Sequence, residues 1–246
     1  MIRPQDRLIV ALDVDTKEEA VGWVKRMTPL GVTHFKIGLN LFTLAGPAAV
    51  ERVHRSGGRV FLDLKFHDIP NTVFRTVRAA ARMGVWMMNV HIQGGAAMMR
   101  RALEGLTEGS SGGEGERPIL LGVTVLTSLA DRDLADLGVL KPLKDQVLHL
   151  AKQAQGAGLD GIVASAQEAQ AVRQACGEKF LIITPGIRSE AAPFAGAGLK
   201  EDQQRAVSPR EAIRAGSDYL VVGRPILEAA DPAAAAREIL RQIEGD

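Results

Sequence analysis

Three charged residues fall close together inside one apolar run, VFLDLKFHDIP (60–70): Asp63, Lys65 and, just beyond the run's apolar part, Asp68. Side chains alternate between the two faces of a strand, so Asp63 and Lys65 share one face. If that face is interior, each charge persists there only when paired and hydrogen-bonded, because isolated burial is costly. A second lysine, Lys36, interrupts the short run HFKIG (34–38), and Asp13 stands near the end of the first apolar run, LIVALDV (8–14). Lys36, Asp63, Lys65 and Asp68 together can form an alternating Lys–Asp–Lys–Asp array. A single such pair is as readily a structural salt bridge as a chemical group. Four charges converging on adjacent strand ends point instead to a site that works by charge and proton transfer.

A second constellation suits an anion. TPGIR (184–188) and VVGRPI (221–226) each follow an apolar run, and each supplies a glycine and an arginine. Gly223 permits close backbone approach, and Arg224 offers a planar fork for phosphate oxygens. Pro225 is placed to start a short helix whose N-terminal amides favour an anion. One loop of this kind reads as a Gly-Pro turn beside a solvated arginine; two favour a phosphate ester, with Arg188 and Arg224 as its ligands. The intervening EAAPFAGAGLKEDQQR (190–205) is long and rich in Ala and Gly. It reads as a lid over the phosphate, with Gln203 reaching inward.

The elements that must position these residues are legible as eight apolar runs, at 8–14, 34–38, 60–65, 85–91, 119–125, 161–165, 181–184 and 219–223. Between them lie segments such as TKEEAVGWVKRM, NTVFRTVRAAARM, LKDQVLHLAKQAQ and DPAAAAREILRQI, whose apolar residues recur every three to four positions. Thr16 and Asp231 are expected N-caps, the latter followed by Pro232 at the first helical position. Nearly continuous apolar strands suit a parallel sheet covered by helices. Eight strand–helix units in 246 residues fit a single-domain (β/α)8 TIM barrel spanning 1–246, with an open doubly wound sheet as the alternative. In a barrel the active site lies at the C-terminal strand ends, and the loops after strands seven and eight are the usual phosphate cradle. The tract GSSGGEGER (109–117) is expected as a surface loop at the opposite face.

Composition excludes several classes. The hydrophobic fraction is 46%, the charged fraction 24%, and the formal net charge +1, with no basic stripe for nucleic acid or a membrane surface. One cysteine, Cys176, rules out an intramolecular disulfide framework and any multi-cysteine metal site; it reads as helical filler. His34, His54, His67 and His149 show no metal-ligand spacing, and His91 is expected to be a hydrogen-bonded core residue. No G-x-G-x-x-G follows the first strand, which argues against a dinucleotide. The longest uncharged apolar stretch, 118–130, is too short to cross a bilayer, and acidic residues come too early for a secretory signal. A cytoplasmic setting follows by default.

The run FLDLKFHDIPNT (61–72), with LDVD, TVLTS (124–128), TPGIR and VVGRPI in this order, resembles the orotidine 5′-phosphate decarboxylase family over nearly the whole chain. D-x-K-x-x-D-I-P-N-T is its specific signature; VGRP alone is weak. The resemblance implies cofactor-free, metal-free decarboxylation of orotidine 5′-monophosphate to uridine 5′-monophosphate, the last step of pyrimidine nucleotide synthesis. It implies Lys65 as proton donor to C6 of the pyrimidine, Asp63 beside the departing carboxylate, and Lys36 bridging the array and the ribose. Asp68, Ile69 and Thr72 are similar to residues donated across a homodimer interface. Asp13 matches a ribose ligand, Thr127 and Ser128 the pyrimidine contacts, and Arg188, Gln203, Gly223 and Arg224 the phosphate side. NVHIQGG (89–95) departs from the family's more usual Ala-Ser before its paired glycines.

Three other readings share part of this pattern. The 3-keto-L-gulonate 6-phosphate decarboxylase group shares D-x-K-x-x-D but uses Mg²⁺ held partly by a second-strand Glu; here that strand carries Lys36, which opposes a divalent cation. A Schiff-base aldolase would need Lys65 as a neutral amine, which carboxylates on either side disfavour. A non-catalytic phosphate-binding barrel explains Arg188 and Arg224 but leaves the Lys–Asp array idle.

Overall fold

The computed structural model describes residues 2–111, 116–188 and 207–245. A short helix α1 (Pro4–Arg7) leads into strand β1 (Leu8–Ala11), followed by α2 (Lys17–Met27) and β2 (His34–Ile37). Helices α3 (Leu39–Ala45) and α4 (Pro47–Arg55) precede β3 (Arg59–Phe66), and α5 (Pro70–Arg82) precedes β4 (Met87–His91). Next come α6 (Gly95–Ser110), β5 (Ile119–Val123), α7 (Asp131–Asp136), α8 (Leu143–Ala157) and β6 (Gly161–Val163). Helix α9 (Ala166–Cys176), β7 (Leu181–Thr184), α10 (Pro209–Arg214), β8 (Tyr219–Val222), α11 (Arg224–Leu227) and α12 (Pro232–Glu244) complete the order.

The eight strands are parallel neighbours in sequence order, and β8 pairs back to β1, which closes the barrel. The fold is the TIM barrel that the alternating pattern predicts, not an open sheet. Each apolar run marks a strand; β3 extends past its run to Arg59 and Phe66, whereas others stop early: LIVALDV leaves the ladder after Ala11 and ILLGVTV after Val123. The trimmed ends, Leu12–Val14 and Thr124–Val125, become the loops of the catalytic face.

The runs are continuous because both strand faces are buried. Outward residues such as Val10, Phe35, Leu62, Met88 and Val90 pack under the helices. Ile9, Ala11, Phe61, Met87, Leu121, Ile183, Tyr219 and Val221 fill the interior as a separate cluster. Each fully buried large side chain contributes about 1.5–3 kcal/mol. At the N-terminal end of the interior, His34, Trp86 and Tyr219 form a ring cluster, with His34 centred 4.1 Å from Trp86 and Trp86 5.3 Å from Tyr219.

Both expected caps are present. Thr16 accepts from the Glu19 amide, and Asp231 accepts from the Ala234 amide ahead of Pro232. Helices α5 and α6 approach so closely that a Cβ on Gly105 would strike the Phe74 carbonyl oxygen, and one on Gly109 would lie 2.6 Å from that of Arg78. This contact corrects one expectation. Gly109 and Ser110 finish α6 rather than opening the 109–117 loop, because Gly109 is where α6 still rests on α5.

One strand is irregular. Between β3 and β4 the pairing runs Leu62 with Met88, then resumes at Phe66 with Val90. Asp63, Leu64 and Lys65 therefore face the single residue Asn89, a bulge of the kind often found beside active sites. Lys65 has φ +52°, the sole positive φ outside glycine among the described residues. That conformation costs an L-residue roughly 1–2 kcal/mol.

Candidate active site

The C-terminal mouth of the barrel gathers charges from three adjacent strands. Lys36 Nζ from β2 lies 3.3 Å from Asp13 Oδ1, beyond β1, and 3.4 Å from Asp63 Oδ2 on β3. Lys65 Nζ lies 2.7 Å from Asp63 Oδ1. The chain of contacts is thus Asp13–Lys36–Asp63–Lys65. Lys36 and Asp63 are held deep, with side chains 14% and 13% exposed, whereas Asp13 opens to solvent. Burial alone would push the Asp63 carboxyl upward; Lys36, Lys65 and the hydrogen bonds from Lys65 and Asn89 outweigh it and hold Asp63 below the ordinary carboxylate value.

Two details differ from the expectation based on alternation. Asp63 and Lys65 do converge, but through the bulge and the left-handed turn at Lys65, not through a regular strand. Asp68 does not close the array. The chain leaves the barrel after Phe66, and Asp68 is exposed at the surface, its Oδ1 accepting the Ile69 amide at 2.7 Å. No cation lies within ion-pair distance of it among the described residues; Asp13 takes the fourth place. Ile69 beside it is 68% exposed, and Thr72, in the first turn of α5, is exposed as well.

The Gly–Arg loop after β8 adjoins this array. Gly223 caps α11, which Arg224 and Pro225 open as the sequence pattern anticipates. A Cβ on Gly223 would sit 2.9 Å from Asp13 Oδ2, so a larger residue there would have to displace that carboxylate. Asp13 thus lies beside both constellations. After β7, Ile187 forms a parallel bridge with Val207, and the Arg188 amide donates to the Val207 carbonyl at 2.9 Å. Thr127 and Ser128 occupy a turn beyond β5 on the same face. Gln203 and the expected lid at 190–205 lie outside the described residues.

Reading the sequence missed two groups. Asn89 is fully buried and bonds to both Asp63 and the Lys65 backbone; its signal is a lone amide in the otherwise apolar VWMMNV. His67 and His91 pack ring against ring, centroids 5.4 Å apart, from different strand ends that no local spacing connects. His91 is expected from the sequence to be hydrogen-bonded, but its buried Nδ1 has no partner among the described residues; the ring packs on that of His67 instead. Burial first, then His67 and Lys65, push the His91 imidazole down. Among the described residues, no three His, Cys, Asp or Glu side chains are grouped to hold a metal ion.

Comparison with known proteins places this geometry. Residues 6–239 match the model of the orotidine 5′-phosphate decarboxylase / HUMPS family. The chain belongs to that family. Among its members, the orotidine 5′-phosphate decarboxylase of Syntrophotalea carbinolica is 48% identical over 244 residues, covering 99% of this chain and 97% of the relative. That of Syntrophus aciditrophicus is 49% identical over 240 residues, covering 97% and 93%. The crystal structure of the Lactobacillus acidophilus enzyme of this name superposes with TM-score 0.83 at 36% identity, covering 97% of this chain and 99% of that one. The matched span includes the stretch that carries the bulge, Asp63-Leu64-Lys65, and the exposed Asp68-Ile69.

Proposed function

We propose that the protein decarboxylates orotidine 5′-monophosphate to uridine 5′-monophosphate and CO₂, acting as a carboxy-lyase in pyrimidine nucleotide synthesis without metal or organic cofactor. The observation that carries this reading is Lys65 Nζ held 2.7 Å from Asp63 beside Lys36, in a barrel mouth whose Asp13 also lies beside the Gly223 loop. The C6–carboxylate bond breaks and its electron pair stays at C6. The Lys65 ammonium stabilises that carbanion and then transfers its proton to it, regaining one from solvent. Asp63 faces the substrate carboxylate and sets the direction of the ammonium. Lys36 joins the array to the ribose, whose hydroxyls Asp13 accepts. Thr127 and Ser128 meet the pyrimidine. Arg188, Gln203, Gly223 and Arg224 grip the phosphate, and that remote binding offsets the cost of bringing a substrate carboxylate up to Asp63.

The site is completed in a homodimer. Asp68, Ile69 and Thr72 reach the partner's mouth, a reading supported by their exposure and by the 68% exposure of an isoleucine beside an aspartate that pairs with no cation among the described residues. The setting is cytoplasmic.

The test follows loss of orotidine 5′-monophosphate absorbance with wild type and Lys65→Ala. Rapid turnover by wild type, lost in the variant and unchanged by EDTA, is expected; equal rates would sink the mechanism, and EDTA inhibition would move the reading to the Mg²⁺-dependent sugar-phosphate decarboxylases. Inactive Lys65→Ala and Asp68→Ala proteins should regain part of their activity once subunits exchange.

A further inference from the structure

We infer that Asn89 is a positioning residue for the charged array: its side-chain amide ties the Lys65 main chain to the Asp63 carboxylate, and so holds the two together across the break in the β3–β4 ladder. Its activity test rests on the decarboxylase reading above, while its structural test needs no substrate.

Asn89 lies on β4 with no exposed surface. Its Oδ1 accepts the Lys65 amide at 2.8 Å, and its Nδ2 donates to Asp63 Oδ1 at 2.7 Å. The same Asp63 oxygen receives Lys65 Nζ. The orientation of the amide is forced, because a backbone N–H can only donate and a carboxylate held ionised can only accept. One planar group therefore holds both members of the pair, each by an opposite end. Aspartate lacks the donor, leucine lacks both, and a hydroxyl is too short to span them.

The need for such a group follows from the break in the sheet. A lysine leaves φ +52° unless something holds it there. Ladder pairing cannot, since the β3–β4 register lapses between the Leu62–Met88 and Phe66–Val90 pairs. Asn89 is the β4 residue inside that gap, and its side chain supplies the rung that the backbone omits.

The experiment compares steady-state decarboxylation and crystal structures of wild type, Asn89→Leu and Asn89→Asp. Asn89→Leu should lower kcat about 10²-fold, the scale of a small misplacement of reacting groups, with KM unchanged. Lys65 should leave the left-handed conformation in its crystal structure. Asn89→Asp keeps the acceptor for Lys65 but sets a carboxylate against Asp63. Among the described residues, the charged or titratable groups connected to the pair that Asn89 holds are Lys36 on β2, Asp13 after β1, and His91 on β4 with His67 against it. As pH falls, a proton shared by the two carboxylates restores a donor. The kcat of Asn89→Asp should therefore rise towards acidic pH relative to wild type.

Wild-type kcat in Asn89→Leu with Lys65 still at positive φ, or a loss confined to melting temperature, would overturn the inference; so would a wild-type pH profile in Asn89→Asp. If wild type itself leaves orotidine 5′-monophosphate intact, the functional reading fails, and the Lys65 conformation in Asn89→Leu still decides this one. Should Asn89→Leu not fold, Asn89→Asp decides by its pH profile and by displacement of the Asp63 carboxylate.

Discussion

His34 and Lys36 stand two residues apart on the same face of β2, yet they belong to opposite ends of the barrel interior. Lys36 sits between two carboxylates, Asp13 and Asp63, with a lysine one step further on. His34 sits among rings, 4.1 Å from Trp86 and 6.4 Å from Tyr219, and its buried Nδ1 has no hydrogen-bond partner among the described residues. Burial, reinforced by Arg59, pushes its imidazole down to about 4. Depth is similar at the two ends; the supply of counter-charges is not. Where partners are built in, the interior carries full charges and can act on a substrate. Where they are absent, the titratable ring is neutral and serves packing.

Substitutions at each end should separate these roles. The largest effect is expected at the mouth, where Lys65→Ala should cut kcat by about 10³-fold, within the range of a lost general acid, while the unfolding midpoint in urea stays close to wild type. At the floor, Trp86→Ala should do the reverse, costing about 3 kcal/mol in urea unfolding with kcat preserved. A floor variant that loses activity at full stability would break the contrast.

The pH dependence of stability sharpens it further. His34 binds its proton more weakly in the folded state than in the unfolded chain, so the unfolded state gains protons first as pH falls. Its contribution is complete above the unfolded value near 6.5 and is lost as pH drops from there towards about 4. Between about pH 7.5 and 5 this amounts to about 2 kcal/mol. His34→Met should remove that share of the pH slope; an unchanged slope would mean that His34 is solvated. The smallest effect is expected where mouth and phosphate loop adjoin. Gly223→Ala places a methyl 2.9 Å from Asp13 Oδ2 and should raise KM about tenfold, or about 1.4 kcal/mol, with little change in kcat.

Much of this was open to a reader of the chain alone. Strands buried on both faces must be apolar throughout, so the eight runs stood out, and Thr16 and Asp231 marked their helices by type and position. Lys36, Asp63 and Lys65 were visible as charges where none should be tolerated singly. The bulge was not, because a two-residue period presupposes a regular ladder, and nothing in LDLKF announces a left-handed lysine. Asp13 in place of Asp68 escaped because neighbours along β3 looked nearer than a residue just past β1, which the β1–β2 pairing sets beside Lys36. Asn89 was hidden by its company, and the His67–His91 contact by the distance between its halves in sequence.

The glycine contact between α5 and α6 has a consequence at the other side of the molecule. With no side chain at residues 105 and 109 to keep the two helices apart, backbone rests on backbone, and the strand before each helix inherits that fixed spacing. The gap that Asn89 bridges therefore has walls anchored from behind. A largely buried seam between two covering helices thus helps to fix how far apart β3 and β4 lie.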